Sequence, residues 1–291
     1  MKNRAQSFTV PREMIIGFIL ATLLFISFLL LVPRIFTTKE AKAATSSNWL
    51  YNFNTPGILY ASTYIQNSTS PYFWVSSGGR MIVTGGLGET IQGYLPTGDI
   101  SQVDYNTVNP LDTDHGHYPQ NTFRLVTRDV WGNASEKVSF RITAQNLTDT
   151  PNRDGYSGIF LFTRYVDKDN LYYAGIRDDG LAVIKKKVGE VYHTLAYLQL
   201  YGTEGEYSKW TKPSLLPFNH WMGMKVTSTN NTNGSVRINL SIDQNNTGQW
   251  VSMLTVTDNG IGGVPFLAAG HGGIRTDYMD VQFDNFQMIT L

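Results

Sequence analysis

The residue types best able to do chemistry fall in three places along this 291-residue chain. Asp112-Thr113-Asp114-His115-Gly116-His117 sets two carboxylates and two imidazoles within six residues. All four side chains are competent metal ligands, imidazole suiting zinc-like ions and carboxylate suiting calcium. His115 or His117 can equally serve as a general base with a nearby tyrosine as acid. A second group is cationic and aromatic: Arg124, Arg128, Gln145, Arg164, Tyr173 and Arg177 all lie in strand-like segments. Aromatic faces cover the C–H patches of a pyranose ring, Arg and Gln bond its hydroxyls, and a guanidinium clamps a uronate carboxylate in bidentate fashion. These residues are therefore expected to line a saccharide groove. The third place is Trp210, set among turn residues beside Lys209 and Lys212 and flanked by Tyr201 and Tyr207, the best-placed tryptophan for exposed stacking. The bland alternatives are a turn-rich polar loop for the first group and solvent-facing charges paired across strands for the second.

The elements that must position these residues are strands. From Gly158 to Lys187 the chain reads GIFLFTRYVDKDNLYYAGIRDDGLAVIKKK. Its aromatic and β-branched runs are joined by the turn-forming sequences Asp167-Lys168-Asp169-Asn170 and Asp178-Asp179-Gly180, which predicts an antiparallel meander. Alternation within it puts Phe162 with Arg164 on one face of a strand, and Tyr173, Gly175 and Arg177 together on one face of the next. Further strands are expected over residues 123–129, 137–146, 221–228, 235–243, 249–257 and 278–289, a spacing that suits a sandwich. In Val138–Thr143 and Val236–Asp243 every second residue is apolar, so both sheets are expected to have a solvent side. No amphipathic helix of ten or more residues is expected after the apolar N-terminal run, and no fixed-period repeat is present. The stretches 85–120 and 200–219 are too long for ordinary connections and are expected to fold as functional loops. The fold class that follows is all-β, a two-sheet antiparallel sandwich formed by residues 49–291.

Lys plus Arg and Asp plus Glu number 23 each, so no global field attracts nucleic acid, which is excluded as a partner. Residues 14–32 are 19 consecutive residues without a charge, close to the roughly 20 that cross a bilayer as a helix. They predict one N-terminal transmembrane helix, preceded by a short tail (1–13) and followed by a linker (33–48). The membrane is thus an expected partner, with the folded domain extracytoplasmic. Ala41-Lys42-Ala43-Ala44 offers small residues to a signal peptidase, and cleavage there would make the protein secreted. The chain has no cysteine, so stability outside the cytoplasm is expected to come from core size, with bound ions as a further source, and not from disulfides. The seven N-x-[ST] sequons are what an Asn- and Thr-rich surface generates by chance, and the composition suits a prokaryotic source.

The string from Tyr156 through GIFLFTRYVDKDNLYYAGIRDDGLAVIKKKVGEVYHTLA, and the closing GGIRTDYMDVQFDNFQM, resemble the concanavalin A-like lectin/glucanase superfamily, with its laminin-G-like jelly rolls. The resemblance spans residues 49–291. It implies a jelly-roll sandwich that holds a polysaccharide or other glycan on the concave face of one sheet, as an extracytoplasmic carbohydrate-binding module. The alternatives it leaves are a polysaccharide-active enzyme of the same fold, either lyase or glycoside hydrolase, and a structural or adhesive surface protein. The E-x-D-x-E strand of the retaining glucanases is absent from the seven Glu of this chain, so their carboxylate pair is missing. Segments 123–128, 144–147 and 171–177 are similar in position to the catalytic strands of the alginate-lyase-like branch. There the histidine is missing and Arg177 stands where the tyrosine would be. The catalytic residues are thus unidentified, with His115 and His117 the candidates. The resemblance also implies a structural Ca2+ where first and last strands meet, with Asp280 and Asp284 sharing one face of the last strand and Asn52 and Asn54 near the first. Asp112 and Asp114 are the other candidate ligands.

Overall fold

A computed structural model describes residues 48–291, so the expected tail, transmembrane helix and linker up to residue 47 lie outside the described residues. Sixteen strands carry the fold of the described residues. The first eight are β1 (Trp49–Tyr51), β2 (Gly57–Tyr60), β3 (Phe73–Val75), β4 (Arg80–Thr84), β5 (Leu87–Glu89), β6 (Phe123–Thr127), β7 (Ala134–Gln145) and β8 (Gly158–Asp167). The rest are β9 (Asn170–Arg177), β10 (Leu181–Val188), β11 (Val191–Gln199), β12 (Met222–Asn230), β13 (Val236–Asp243), β14 (Val251–Asp258), β15 (His271–Thr276) and β16 (Met279–Thr290). They form two antiparallel sheets. One has nine strands in the order β14-β13-β12-β7-β16-β5-β4-β2, with β1 also paired to β16; the other has seven, ordered β11-β10-β9-β8-β15-β6-β3. This is the two-sheet antiparallel sandwich that the sequence implies.

Period-2 alternation builds the space between the sheets. Val138, Phe140 and Ile142 of β7 and Ile238, Leu240 and Ile242 of β13 meet Tyr172, Ala174 and Ile176 of β9 and Ile184 of β10, all buried in one cluster. The predicted meander is present: β8, β9 and β10 pair in sequence order through the two predicted turns. The expectation of a solvent side holds for the nine-stranded sheet, to which both alternating segments belong. It fails for the seven-stranded sheet. Val126, Phe160, Phe162, Tyr165, Leu171, Tyr173 and Val183 form a second buried cluster on its outer face, so β8 and β9 are apolar on both sides. Continuous burial of this kind leaves no alternation to read.

The long stretch 85–120 is not all loop. It carries β5 and the nine-residue helix α1 (Ile100–Val108), capped by the Asp99 carboxylate, which accepts from the Ser101 N–H at 2.8 Å, while Gln102 accepts from the Gly98 N–H at 3.0 Å. No helix among the described residues is long and apolar enough to cross a membrane.

Candidate functional site

The outer face of the seven-stranded sheet carries a cleft of about 510 Å³, and register explains its floor. Arg275 of β15 lies opposite Phe160 of β8, Phe160 opposite Gly175 of β9, and Gly175 opposite Val183 of β10. In the next row Phe162 faces Tyr173, and Tyr173 faces Lys185. A Cβ at Gly175 would come within 2.9 Å of the Phe160 ring, so glycine there lets Phe160 lie flat across the sheet. On the other side of Arg275, in register on β6, stands Arg124. The mouth of the cleft is formed by Asn152, Asp154, Tyr156 and Ser157 from the loop before β8, by Thr122 and Tyr278, and by Tyr192 from β11.

Aromatic rings and cations alternate across this surface. The Tyr173 ring packs edge-on to Phe160 at 5.2 Å and to Tyr192 at 6.0 Å. The Arg275 guanidinium lies 5.9 Å from the Tyr173 ring, and the Lys185 ammonium 5.3 Å from Tyr156 and 6.0 Å from Tyr192. Tyr156 and Tyr192 keep 63% and 47% of their surface exposed, so ring faces remain open to solvent at the mouth.

The electrostatics follow from burial. Arg275 donates from Nε to Asp277 at 2.9 Å. Burial pushes the Asp277 carboxyl up, and Arg275 and Arg124 pull it only part of the way back. Burial raises the Tyr173 phenol as well. At Tyr192 burial acts upward but loses to Arg275 and Lys187, and the phenol falls below its ordinary 10.0. Lys185 is pushed down by burial and then by Arg177. Arg124 is likewise lowered by burial, and Arg275 beside it adds to the lowering.

Of the residues expected to line a groove, the structure brings Tyr173, Arg177 and Arg124 to this face. Arg177 stacks over the Tyr156 ring at 4.2 Å and pairs with Asp179 at the rim. The other expectations need correction. Arg164 does not share the face of Phe162: a register shift follows Thr163, Arg164 takes φ 53°, and its guanidinium is buried against the Leu267 and Ala268 carbonyls and the side-chain oxygens of Asn133 and Asn230. Gln145 belongs to β7 in the other sheet and donates to Asp178 and to the Pro213 carbonyl. Arg128 lies just beyond β6 and donates to the Ser70 carbonyl. Trp210 is exposed as expected, at 65%, with the Arg153 guanidinium and Lys209 ammonium each 5.3 Å from its ring, but it does not line the cleft.

The Asp112–His117 group is structural in its contacts. Asp112 accepts from the Tyr105 hydroxyl at 3.0 Å and the Asn121 amide at 3.1 Å, and Asn121 also donates to Asp114 at 2.6 Å. His117 Nδ1 bonds the Leu95 carbonyl at 2.7 Å while its ring stacks on Tyr94, and His115 is an exposed turn residue at φ 52°. Neither histidine lines the cleft. Asp280 accepts from the Gly93 N–H and the Gln120 amide, both at 2.8 Å, and Asp284 accepts from Asn285. Four residues of strand, roughly 13 Å, separate those two carboxylates. Among the described residues no three His, Cys, Asp or Glu side chains converge as a metal cluster.

Neither a protein family nor a curated protein matches the sequence. Solved structures are similar at low identity. A protein of unknown function with a galectin-like fold from Bacillus subtilis aligns over 83% of this chain and 94% of its own, with TM-score 0.45 and 12% identity. A β-glucanase from Bacillus licheniformis aligns over 85% and 99%, with TM-score 0.44 and 11% identity. A carbohydrate-binding module from Bacillus subtilis aligns over 58% and 82%, with TM-score 0.41 and 13% identity.

Sequence reasoning passed over Phe160, Lys185, Tyr192, Arg275 and Asp277. Lys185 and Tyr192 had a readable signal: the Asp178-Asp179-Gly180 turn fixes the β9–β10 register and so sets Lys185 opposite Tyr173. Arg275 and Asp277 had none, because β15 enters between β8 and β6 from far along the chain.

Proposed function

We propose that this protein binds a glycan in the cleft on the outer face of the seven-stranded sheet. The observation that carries the reading is the pairing of exposed rings at Tyr156 and Tyr192 with the half-buried Arg275 and the buried Lys185 in the same cleft. Rings of that kind cover the apolar face of a pyranose while the cations donate to its oxygens. The cleft volume fits one or two sugar units rather than a large apolar ligand. We read binding rather than cleavage, since of the two carboxylates lining the cleft Asp277 is bonded to Arg275 and Asp154 accepts from the Tyr156 N–H. Acid–base work at a glycosidic bond needs a carboxyl group free to exchange its proton with substrate. The uncharged run at residues 14–32 supports placing this activity outside the cytoplasm, at the membrane or secreted.

A glycan-array screen of the full chain, run with and without a chelator and followed by sizing of the retained saccharides, tests the reading. Retention of an intact polysaccharide is expected. Shortened products would replace binding by cleavage, loss of retention in chelator would add a metal, and no retention on any glycan would overturn the proposal.

A further inference from the structure

The cleft lining sets two cations, Lys185 and Arg275, against two carboxylates, Asp154 and Asp277, yet one of the cations is left without a partner. Lys185 is 9% exposed, yet among the described residues its ammonium has neither a hydrogen-bond acceptor nor a salt-bridge partner; two tyrosine rings are its nearest company. Arg124 is in the same condition. Its guanidinium makes no hydrogen bond among the described residues, and its Nε is fully buried without a partner. Between them stands Arg275, satisfied at Nε by Asp277. Arg124 lies outside the cleft lining, on the strand next to Arg275, so on this face three cations stand against the bonded Asp277 and Asp154. Asp154 at the mouth is turned to the Tyr156 N–H at 2.7 Å, and Asp179 is taken by Arg177.

Burying an unpaired cation is costly, and two arginines opposite each other across antiparallel strands repel. Two other buried cations carry more oxygen partners: Arg164 has four, although its Nε has none, and Lys186 has Asp258 and two carbonyls. An arrangement left uncompensated on the floor of an open cleft fits a ligand that brings the missing negative charge. Guanidinium and ammonium donors that line one cleft suit an oxyanion, bonded more strongly than a neutral hydroxyl.

We propose that the ligand is an acidic saccharide whose carboxylate or sulfate group docks at Lys185 and Arg275, with Arg124 beside Arg275 adding positive charge and with the saccharide ring against Tyr156 and Tyr192. The proposal rests on the glycan-binding reading and narrows it. Carboxylate and sulfate share the recognition chemistry, so the test has an arm for each.

The test is a titration of the full-length protein with oligogalacturonate and its carboxyl-reduced form, and with a sulfated galactan and its desulfated form. Removing the charge is expected to weaken binding about tenfold to a hundredfold in at least one pair, and that pair names the anion. Lys185→Gln and Arg124→Gln are expected to abolish most of the difference between charged and neutral forms. Lys185→Arg should restore it, and Lys225→Gln on the other sheet should leave it intact. Lys185 loses no polar partner on substitution, so its variant carries the test if Arg124→Gln fails to fold. Equal binding of charged and neutral forms, or preference for neutral ones, overturns the acidic-ligand proposal and leaves glycan binding standing. Binding of no saccharide at all overturns both.

Discussion

Lys185 and Lys186 are adjacent on β10, point to opposite faces and are almost equally buried, yet they are solved differently. Lys186 points between the sheets. Its ammonium lies 2.9 Å from Asp258 and donates to the Gly263 and Val264 carbonyls, while Asp258 also accepts from the Tyr172 hydroxyl and from the Gly260 and Ile261 N–H groups. Burial alone would raise the Asp258 carboxyl, but these donors outweigh it and hold it below its ordinary 3.8. Lys185 points outward beneath Tyr156 and Tyr192 and has no acceptor among the described residues. Lys186 is held by acceptors of the fold itself, and Lys185 is left open to an acceptor from a ligand.

Substitution at the two lysines tests that contrast most sharply. Lys186→Met strands the Asp258 carboxylate in the core and should cost about 3–5 kcal/mol in urea unfolding, whereas Lys185→Met should change stability by less than about 1 kcal/mol. Comparable losses at the two positions would break the comparison.

A smaller effect comes from Glu136, another of the buried ionisable groups. Its Oε1 accepts from the Gly273 N–H at 2.6 Å, its Oε2 is unpartnered, and burial raises its carboxyl well above 4.5. The unfolded chain ionises first, so the native state loses stability as pH climbs from about 4.5 toward the raised folded value, at about 1.4 kcal/mol per pH unit. Asp258 has the opposite sign: its contribution is present above 3.8 and lost as pH falls through its lower folded value. Glu136→Gln, which keeps an acceptor for Gly273, should therefore match wild type near pH 4 and be the more stable protein at pH 7 by chemical unfolding. No gain at pH 7 would mean the carboxyl finds a partner when ionised.

The smallest effect is expected at Trp210. Exposed and outside the cleft, Trp210→Ala should alter stability by less than about 0.5 kcal/mol and leave the saccharide dissociation constant within twofold. A large loss of affinity would extend the site beyond the cleft.

What could be read from the sequence tracks how local each pairing is. The meander was legible because its turns lie inside the segment, and with it came the shared face of Tyr173 and Arg177. Arg164 was misplaced because a bulge is invisible to strict alternation. The double burial of β8 and β9 was hidden because continuous apolar runs carry no period. Arg275 and Asp277 were beyond reach because nothing near β15 announces that it pairs with both β8 and β6. Helix α1 was missed for its length, although Asp99 followed three residues later by Gln102 is a recognisable start signal.

Hydroxyl-radical footprinting of the full-length protein, with and without a saturating acidic oligosaccharide, tests the central claim most directly, because Tyr156, Tyr192 and Trp210 are all exposed in the free protein. Protection of Tyr156 and Tyr192 with Trp210 unchanged is the predicted result. Protection at Trp210 or around His115 and His117, with both cleft tyrosines still reactive, would contradict it.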